Sequence, residues 1–222
     1  MLQHHHLLKE IYLIASNKTK PIFYSNHRSR QASQKSYKLS DNEIEIAKKS
    51  LQNKNKNFLE IGFGTGDSVI NMLCEKPNNY YCIESYYRGI ENLNNLIKKN
   101  NLDNIFVFHG DAIEIIENFF PDNSLDHIYI FFPDPWPKKK HRKRRLISED
   151  FIVLIKAKLR QNGLVHICTD WADYGRDINA LFESMKEFKS LEKFPKRLHT
   201  KFEKKGLASG HSIYEFAFQL VL

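Results

Sequence analysis

Phe58-Leu59-Glu60-Ile61-Gly62-Phe63-Gly64-Thr65-Gly66 decides the fold of this chain. Phe58–Ile61 is a short, mostly apolar run and reads as a buried strand. Three glycines follow, alternating with larger residues. Without a Cβ they let the backbone turn sharply and approach a ligand closely. A helix is expected next, over Asp67–Glu75. The dinucleotide fingerprint is G-x-G-x-x-G; here the spacing is G-x-G-x-G, so the third glycine comes one residue early. Strand, glycine turn and helix together read as the opening of an α/β sheet, although a glycine loop alone is a weak signal of a nucleotide ligand.

Working outward, the alternation continues. Strands are expected over Tyr80–Glu84, Ile105–His109, Leu125–Phe132 and Leu164–Thr169. Helices are expected over Gly89–Asn100, Ala112–Phe119, Ser148–Arg160 and Ala172–Met185. Such alternation implies a parallel sheet with helices on both faces. The last run, Ile213–Val221, alternates less cleanly and is expected to pair antiparallel at or near an edge. Upstream, Asp41 is expected to cap a helix over Asn42–Gln52. Residues 1–40 are basic and polar, with Tyr24, His27, Arg28, Arg30 and Lys35, and are expected to form a partly ordered arm before a single domain over 41–222.

Composition narrows the function. The chain has 222 residues and a formal charge of +8. Seven of the eight residues from Lys138 to Arg145 are Lys or Arg, so the remainder is nearly neutral. A localised basic patch is the footprint of a polyanion. Cys74, Cys82 and Cys168 have no metal-like spacing and read as reduced thiols of a cytoplasmic protein. No apolar run approaches membrane-spanning length. His4, His5 and His6 offer weak metal ligands but read better as a frayed terminus, and no metal site is expected.

Four acids stand at or just after the ends of the first four strands: Glu60, Glu84, Asp111 and Asp134. Ligands of such sheets bind beyond the carboxyl ends of the strands. An acid ending the second strand suits both hydroxyls of a ribose, and Asp111 suits an adenine amino group. Asp111 would equally cap the helix that starts at Ala112. With Gly62, Gly64 and Gly66, these acids favour a nucleoside ligand.

The fourth acid sits in a second informative stretch, Ile128 to Arg145: I-Y-I-F-F-P-D-P-W-P-K-K-K-H-R-K-R-R. Pro133, Pro135 and Pro137 let neither helix nor strand continue. They frame Asp134 and Trp136 in a stiff loop, and the basic block follows. Trp136 reads either as a plate on which a base stacks or as a ring packed against the prolines.

These motifs resemble the class I S-adenosylmethionine-dependent methyltransferases. The proline loop and its basic tail narrow the resemblance to the bacterial tRNA (guanine-N7)-methyltransferases. Thr169-Asp170 matches the end of that family's fifth strand. Thr200-Lys201-Phe202-Glu203, with Gly206 and Gly210-His211, matches its C-terminal substrate motif. The second strand departs from it, with Cys82-Ile83-Glu84-Ser85-Tyr86. The resemblance implies a Rossmann-like, seven-stranded, mostly parallel sheet with its last strand reversed. It implies S-adenosylmethionine at Glu60, Gly62, Gly64, Gly66, Glu84, Asp111 and Asp134, with Asp134 catalytic. It implies substrate contacts at Lys138, Asp170, Thr200, Lys201, Phe202 and Glu203. RNA would lie along Lys140, His141, Arg142, Lys143, Arg144 and Arg145. The family methylates guanine at tRNA position 46, in the variable loop, and the expected assembly is a monomer or homodimer without an obligate protein partner.

Guanine N7 carries a free lone pair, so no proton has to be removed before attack. Asp134 and Asp170, with Glu203 as a third candidate, are expected to face the guanine N1–H and amine and orient N7. Two other readings remain. Methylation of an exocyclic adenine amine would favour adjacent prolines after an Asp or Asn, and a single Pro135 stands here. A non-catalytic RNA-binding protein would not need the retained acids.

Overall fold

The computed structural model describes residues 38–66, 69, 78–195, 197 and 199–221. Cys74 and nearly all of the arm expected over 1–40 lie outside these residues. Of the helix expected over Asp67–Glu75, Val69 is described: it is helical and buried.

The strands are β1 (Asn57–Ile61), β2 (Asn79–Glu84), β3 (Ile105–His109), β4 (Leu125–Phe131), β5 (Leu159–Thr169), β6 (Phe188–Ser190) and β7 (Tyr214–Leu220). Six α-helices are described: α1 (Asp41–Leu51), α2 (Tyr87–Lys99), α3 (Ala112–Phe119), α4 (Glu149–Lys158), α5 (Ala172–Glu183) and α6 (Lys201–Ala208). They form one sheet in the order β3-β2-β1-β4-β5-β7-β6. β1 to β5 pair in parallel, and β7 runs antiparallel to both β5 and β6. The chain leaves β1 toward β3 on one side and continues from β4 toward β6 on the other. The switch point therefore lies between β1 and β4, where an open α/β sheet binds ligands.

β2 shows why the strands lack polar alternation. Tyr81 and Ile83 enter a core with Ala47 and Leu51 of α1, Ile116 of α3 and Ile152 of α4. Tyr80 and Cys82 enter the opposite core with Phe63 and with Ile90 and Leu93 of α2. Both faces are covered, so both sets of side chains are apolar. Cys82 and Cys168 are buried free thiols, and burial raises both above the ordinary thiol pKa. No helix among the described residues is long and apolar enough to cross a membrane.

Three details differ from expectation. Ser40, not Asp41, caps α1: its hydroxyl accepts from Glu43 N, and the Glu43 carboxylate accepts from Ser40 N, a reciprocal box that fixes the start one residue earlier. β5 begins at Leu159, within the expected helix. Leu125 pairs with Leu159 but His127 with Leu164, so β5 bulges there, with Asn162 left-handed at φ +64°. β6, three residues long, was not anticipated. It takes the edge, which leaves β7 second from it.

Candidate active site

Elements from both sides of the switch point meet at the carboxyl edge of the sheet. Gly62, Gly64 and Gly66 all have φ between +62° and +80°, so the early third glycine still serves a left-handed turn. Among the described residues beyond the loop neighbours, no atom lies within 4 Å of where a Cβ would stand at Gly62 or Gly64, so these residues leave that side of the loop uncovered. The other side is packed against α2. A Cβ at Gly89 would meet the Gly64 carbonyl oxygen at 1.8 Å, so α2 reaches the loop only because residue 89 is glycine. Asn92 donates to the Thr65 carbonyl at 2.6 Å and holds it from the same helix. Neither Gly89 nor Asn92 was anticipated. A glycine in the first turn of a helix was the available signal.

Glu84 closes the loop from β2. Its Oε2 accepts from Gly64 N at 2.7 Å, and its Oε1 accepts from Ser85 N at 2.7 Å and Tyr86 N at 2.9 Å. Ser85 Oγ also donates to Oε1 at 3.3 Å, so Oε1 is fully engaged, whereas Oε2 has one described donor and can accept a second. Glu60 is buried on β1. Asp111 does cap α3, accepting at Oδ1 from Ile113 N at 2.9 Å and Glu114 N at 3.2 Å. An open glycine turn, an acid at the end of β2 and an acid after β3 fit a nucleoside. Glu84 would hold the ribose and Asp111 the adenine of S-adenosylmethionine. That group supplies an electrophilic methyl on a sulfonium.

On the other side of the switch point, β4 stops at Phe131. Phe132 N donates to the Cys168 carbonyl at 2.8 Å, and Phe132 then turns left-handed at φ +54°. Trp136 is left-handed too, at φ +43°. Two strained non-glycine residues thus bracket Pro133-Asp134-Pro135, and backbone strain of this kind collects at functional sites. Asp134 is exposed between them.

The basic block forms a 3-10 helix over Lys139–Arg144 with no buried residue. Lys138, Lys139, Lys140, Arg142 and Lys143 are exposed. Arg142 pairs with Asp173 at 2.9 Å. Trp136 is a packed ring, with the Arg144 guanidinium 5.0 Å from its centroid and His141 edge-on at 5.9 Å. Partial desolvation, then the charges of Arg144, Lys140 and Lys138, hold His141 below the usual imidazole pKa.

Arg145 corrects the expectation. Its side chain is 5% exposed and turned inward. It donates to the Pro135 carbonyl at 2.9 Å, pairs with Asp173 at 2.8 Å and with Asp177, and lies over Tyr174 at 4.6 Å. The guanidinium is committed to the proline loop and α5, so it is not an RNA contact in this arrangement. One cation aimed inward cannot be told from six others by sequence alone.

Beyond β5, Asp170 Oδ2 lies 3.1 Å from His211 Nδ1. Both line an open groove of about 410 Å³ with Trp171, Ala172, Asp173 and Arg176. Thr200 and Glu203 form a second reciprocal capping box, which starts α6 at Lys201. Phe202 is exposed, and its ring lies 5.3 Å from that of Phe132, at the mouth of the proline loop. Glu203 departs from expectation: it is buried and bidentate with Arg197, at 2.6 and 2.9 Å, so its carboxylate is not presented to a base.

The structure therefore gathers Gly62, Gly64, Gly66 and Glu84 into one loop assembly, and Phe202 meets the start of the Asp134 loop. A family described as putative methyltransferase matches residues 54–216. A tRNA (guanine-N(7)-)-methyltransferase of Nitrosococcus oceani is 40% identical over 166 residues, which span 73% of this chain and 70% of that protein. One of Neisseria meningitidis is 41% identical over 171 residues, spanning 73% and 71%.

This chain belongs to the tRNA (guanine-N(7)-)-methyltransferase family.

Solved structures support the fold. A tRNA (m1A58) methyltransferase of Aquifex aeolicus superposes with a TM-score of 0.51 at 16% identity, covering 85% of this chain and 72% of that one. An antibiotic-related methyltransferase superposes with a TM-score of 0.56 at 16% identity, covering 84% and 97%. The fold is that of S-adenosylmethionine-dependent methyltransferases.

Proposed function

We propose that this chain, acting in the cytoplasm as one methyltransferase domain behind a basic arm, methylates N7 of the guanine at position 46 in the tRNA variable loop. The proline loop carries the reading. Asp134 is exposed just past β4, between two left-handed residues and one strand from the glycine loop, with a block of exposed cations directly after it.

The residues divide the work. Glu84 and Asp111 hold the nucleoside of the methyl donor, and the bare backbone of Gly62 and Gly64 lets it approach. Lys138, Lys139, Lys140 and Lys143 meet phosphates and bring the variable loop to the carboxyl edge. The groove at Asp170 and His211 takes the purine. Asp134 and Asp170 accept from its N1–H and amine, which turns the N7 lone pair toward the donor. Positive charge grows on the purine as the new bond forms, and the Asp134 carboxylate, set in the proline-framed loop, opposes it. No proton has to leave before attack, so no general base is assigned. The rate gain comes from orientation and electrostatics.

Two tRNA transcripts differing only in guanine or adenine at position 46 test the target. Methyl incorporation is expected in the first and none in the second. Equal incorporation would move the target elsewhere.

A further inference from the structure

Arg197 lies outside every motif so far described, yet three elements meet at its guanidinium and a fourth joins through Glu215. The side chain is 5% exposed. On one side it donates to both oxygens of Glu203, in the first turn of α6, at 2.6 and 2.9 Å. On the other it donates to both oxygens of Glu215, on β7, at 2.9 Å each. Glu215 Oε1 also lies 2.7 Å from His166 Nε2, on β5. The guanidinium carbon sits over the ring of Phe131, the last residue of β4, 5.2 Å from its centroid.

A guanidinium offers five N–H donors in a fixed plane, and Arg197 uses that plane to grip two carboxylates at once. The chemistry of this arrangement is structural. The single cation between Glu203 and Glu215 offsets one of their two charges and is hydrogen-bonded to both, and Glu203 is buried. What the grip holds is functional. Glu203 closes the capping box that starts α6, and the same turn carries Phe202 onto Phe132. Phe132 is the strained residue from which the Asp134 loop departs. Arg197 therefore fixes α6 against the sheet at the point where the loop leaves it.

We infer that Arg197 is a positioning residue for methyl transfer: through Glu203, Glu215 and Phe131 it sets α6 and the Asp134 loop in register, without touching substrate or cofactor. The inference rests on the proposed methyl transfer to tRNA. Lysine cannot replace Arg197, because one ammonium cannot form two bidentate pairs in a single plane. The glycine loop and Glu84 lie on the far side of the switch point and do not share these contacts.

The test compares wild type with Arg197→Lys and Glu215→Gln. Glu215→Gln keeps the shape of β7 and loosens the grip from its remote end. For each protein kcat is measured at saturating tRNA and S-adenosylmethionine, and S-adenosylhomocysteine affinity by calorimetry. Both variants should lose kcat by roughly 10- to 100-fold, the scale of a misplaced site, with cofactor-product affinity unchanged within about twofold. Wild-type kcat in both variants would overturn the inference. So would a parallel loss of S-adenosylhomocysteine binding, because the residue would then support the fold at large. An inactive wild type in the same assay would refute the proposed function instead, so the two failures are distinguishable.

Discussion

Arg145→Ala asks whether the last cation of the basic block serves RNA or the loop. In the wild type its Nε–H donates to the Pro135 carbonyl at 2.9 Å from a side chain that is 5% exposed. A hydrogen bond from a charged donor contributes about 1.5–3 kcal/mol. The stack on Tyr174 at 4.6 Å adds about 1 kcal/mol. The carboxylates of Asp173 and Asp177 keep contact with water, so no stabilisation is assigned to those pairs. The loss should be about 2–4 kcal/mol. For a chain of this length that lowers Tm by roughly 5–15 °C. The same variant should leave the salt dependence of tRNA binding unchanged, because no phosphate contact is removed. Lys143→Ala is the mirror image, with an unchanged Tm and a shallower slope. Thermal melts and tRNA titrations at several salt concentrations read both quantities. An unchanged Tm for Arg145→Ala, with a salt slope shallower by about one contact, would show that the guanidinium turns outward to RNA and refute the reasoning.

Other outcomes follow from the same contacts. Asp134→Asn keeps the loop shape and removes the charge, so kcat should fall by about 100-fold or more with an unchanged Tm; near-wild-type turnover would remove electrostatics from the mechanism. Gly89→Ala forces a Cβ toward the Gly64 carbonyl, where 1.8 Å is available, so S-adenosylhomocysteine affinity should fall at least tenfold in calorimetry while tRNA affinity holds. Lys139, Lys140 and Lys143 replaced together by Ala should flatten the salt slope of tRNA binding by roughly 0.7–0.9 per lost phosphate contact. Burial, then the proximity of His166 and Lys56, lowers the pKa of His127 to about 3. The unfolded chain binds that proton near pH 6.5, so the stability from His127 is complete above that pH. It is lost as pH falls from about 6.5 toward 3, by up to about 1.4 kcal/mol per pH unit. His127→Phe should flatten the fall in urea stability between pH 6.5 and 5, and an unchanged slope would assign the protons elsewhere.

The sheet was legible because β1 to β5 are buried on both faces. Runs such as Tyr80–Ile83 therefore carry no polar interruption, and the glycine turn after Ile61 marks the first crossover. β6 was not legible, because Phe188-Lys189-Ser190 is too short to show a period and gains its pairing from β7. The start of β5 was misplaced because Leu159 continues the apolar spacing of α4, and only the pairing with Leu125 makes it a strand. At the site, the acids at strand ends were visible because topology alone brings strand ends together. What each acid is bonded to was not. Glu84 accepts from Gly64 N across twenty residues of sequence, and Glu203 faces Arg197 rather than the groove. The Thr200–Glu203 capping box could have been read from its T-x-x-E spacing. The inward turn of Arg145 depends on Asp173 and Tyr174 from α5, whose position sequence reading left open.

Incubation of the purified chain with unmodified tRNA and methyl-labelled S-adenosylmethionine, followed by digestion to nucleosides, tests the central claim most directly. The account predicts label in N7-methylguanosine alone, at about one methyl per tRNA. Label in a methyladenosine, or none in an enzyme that binds both tRNA and S-adenosylhomocysteine, would contradict it.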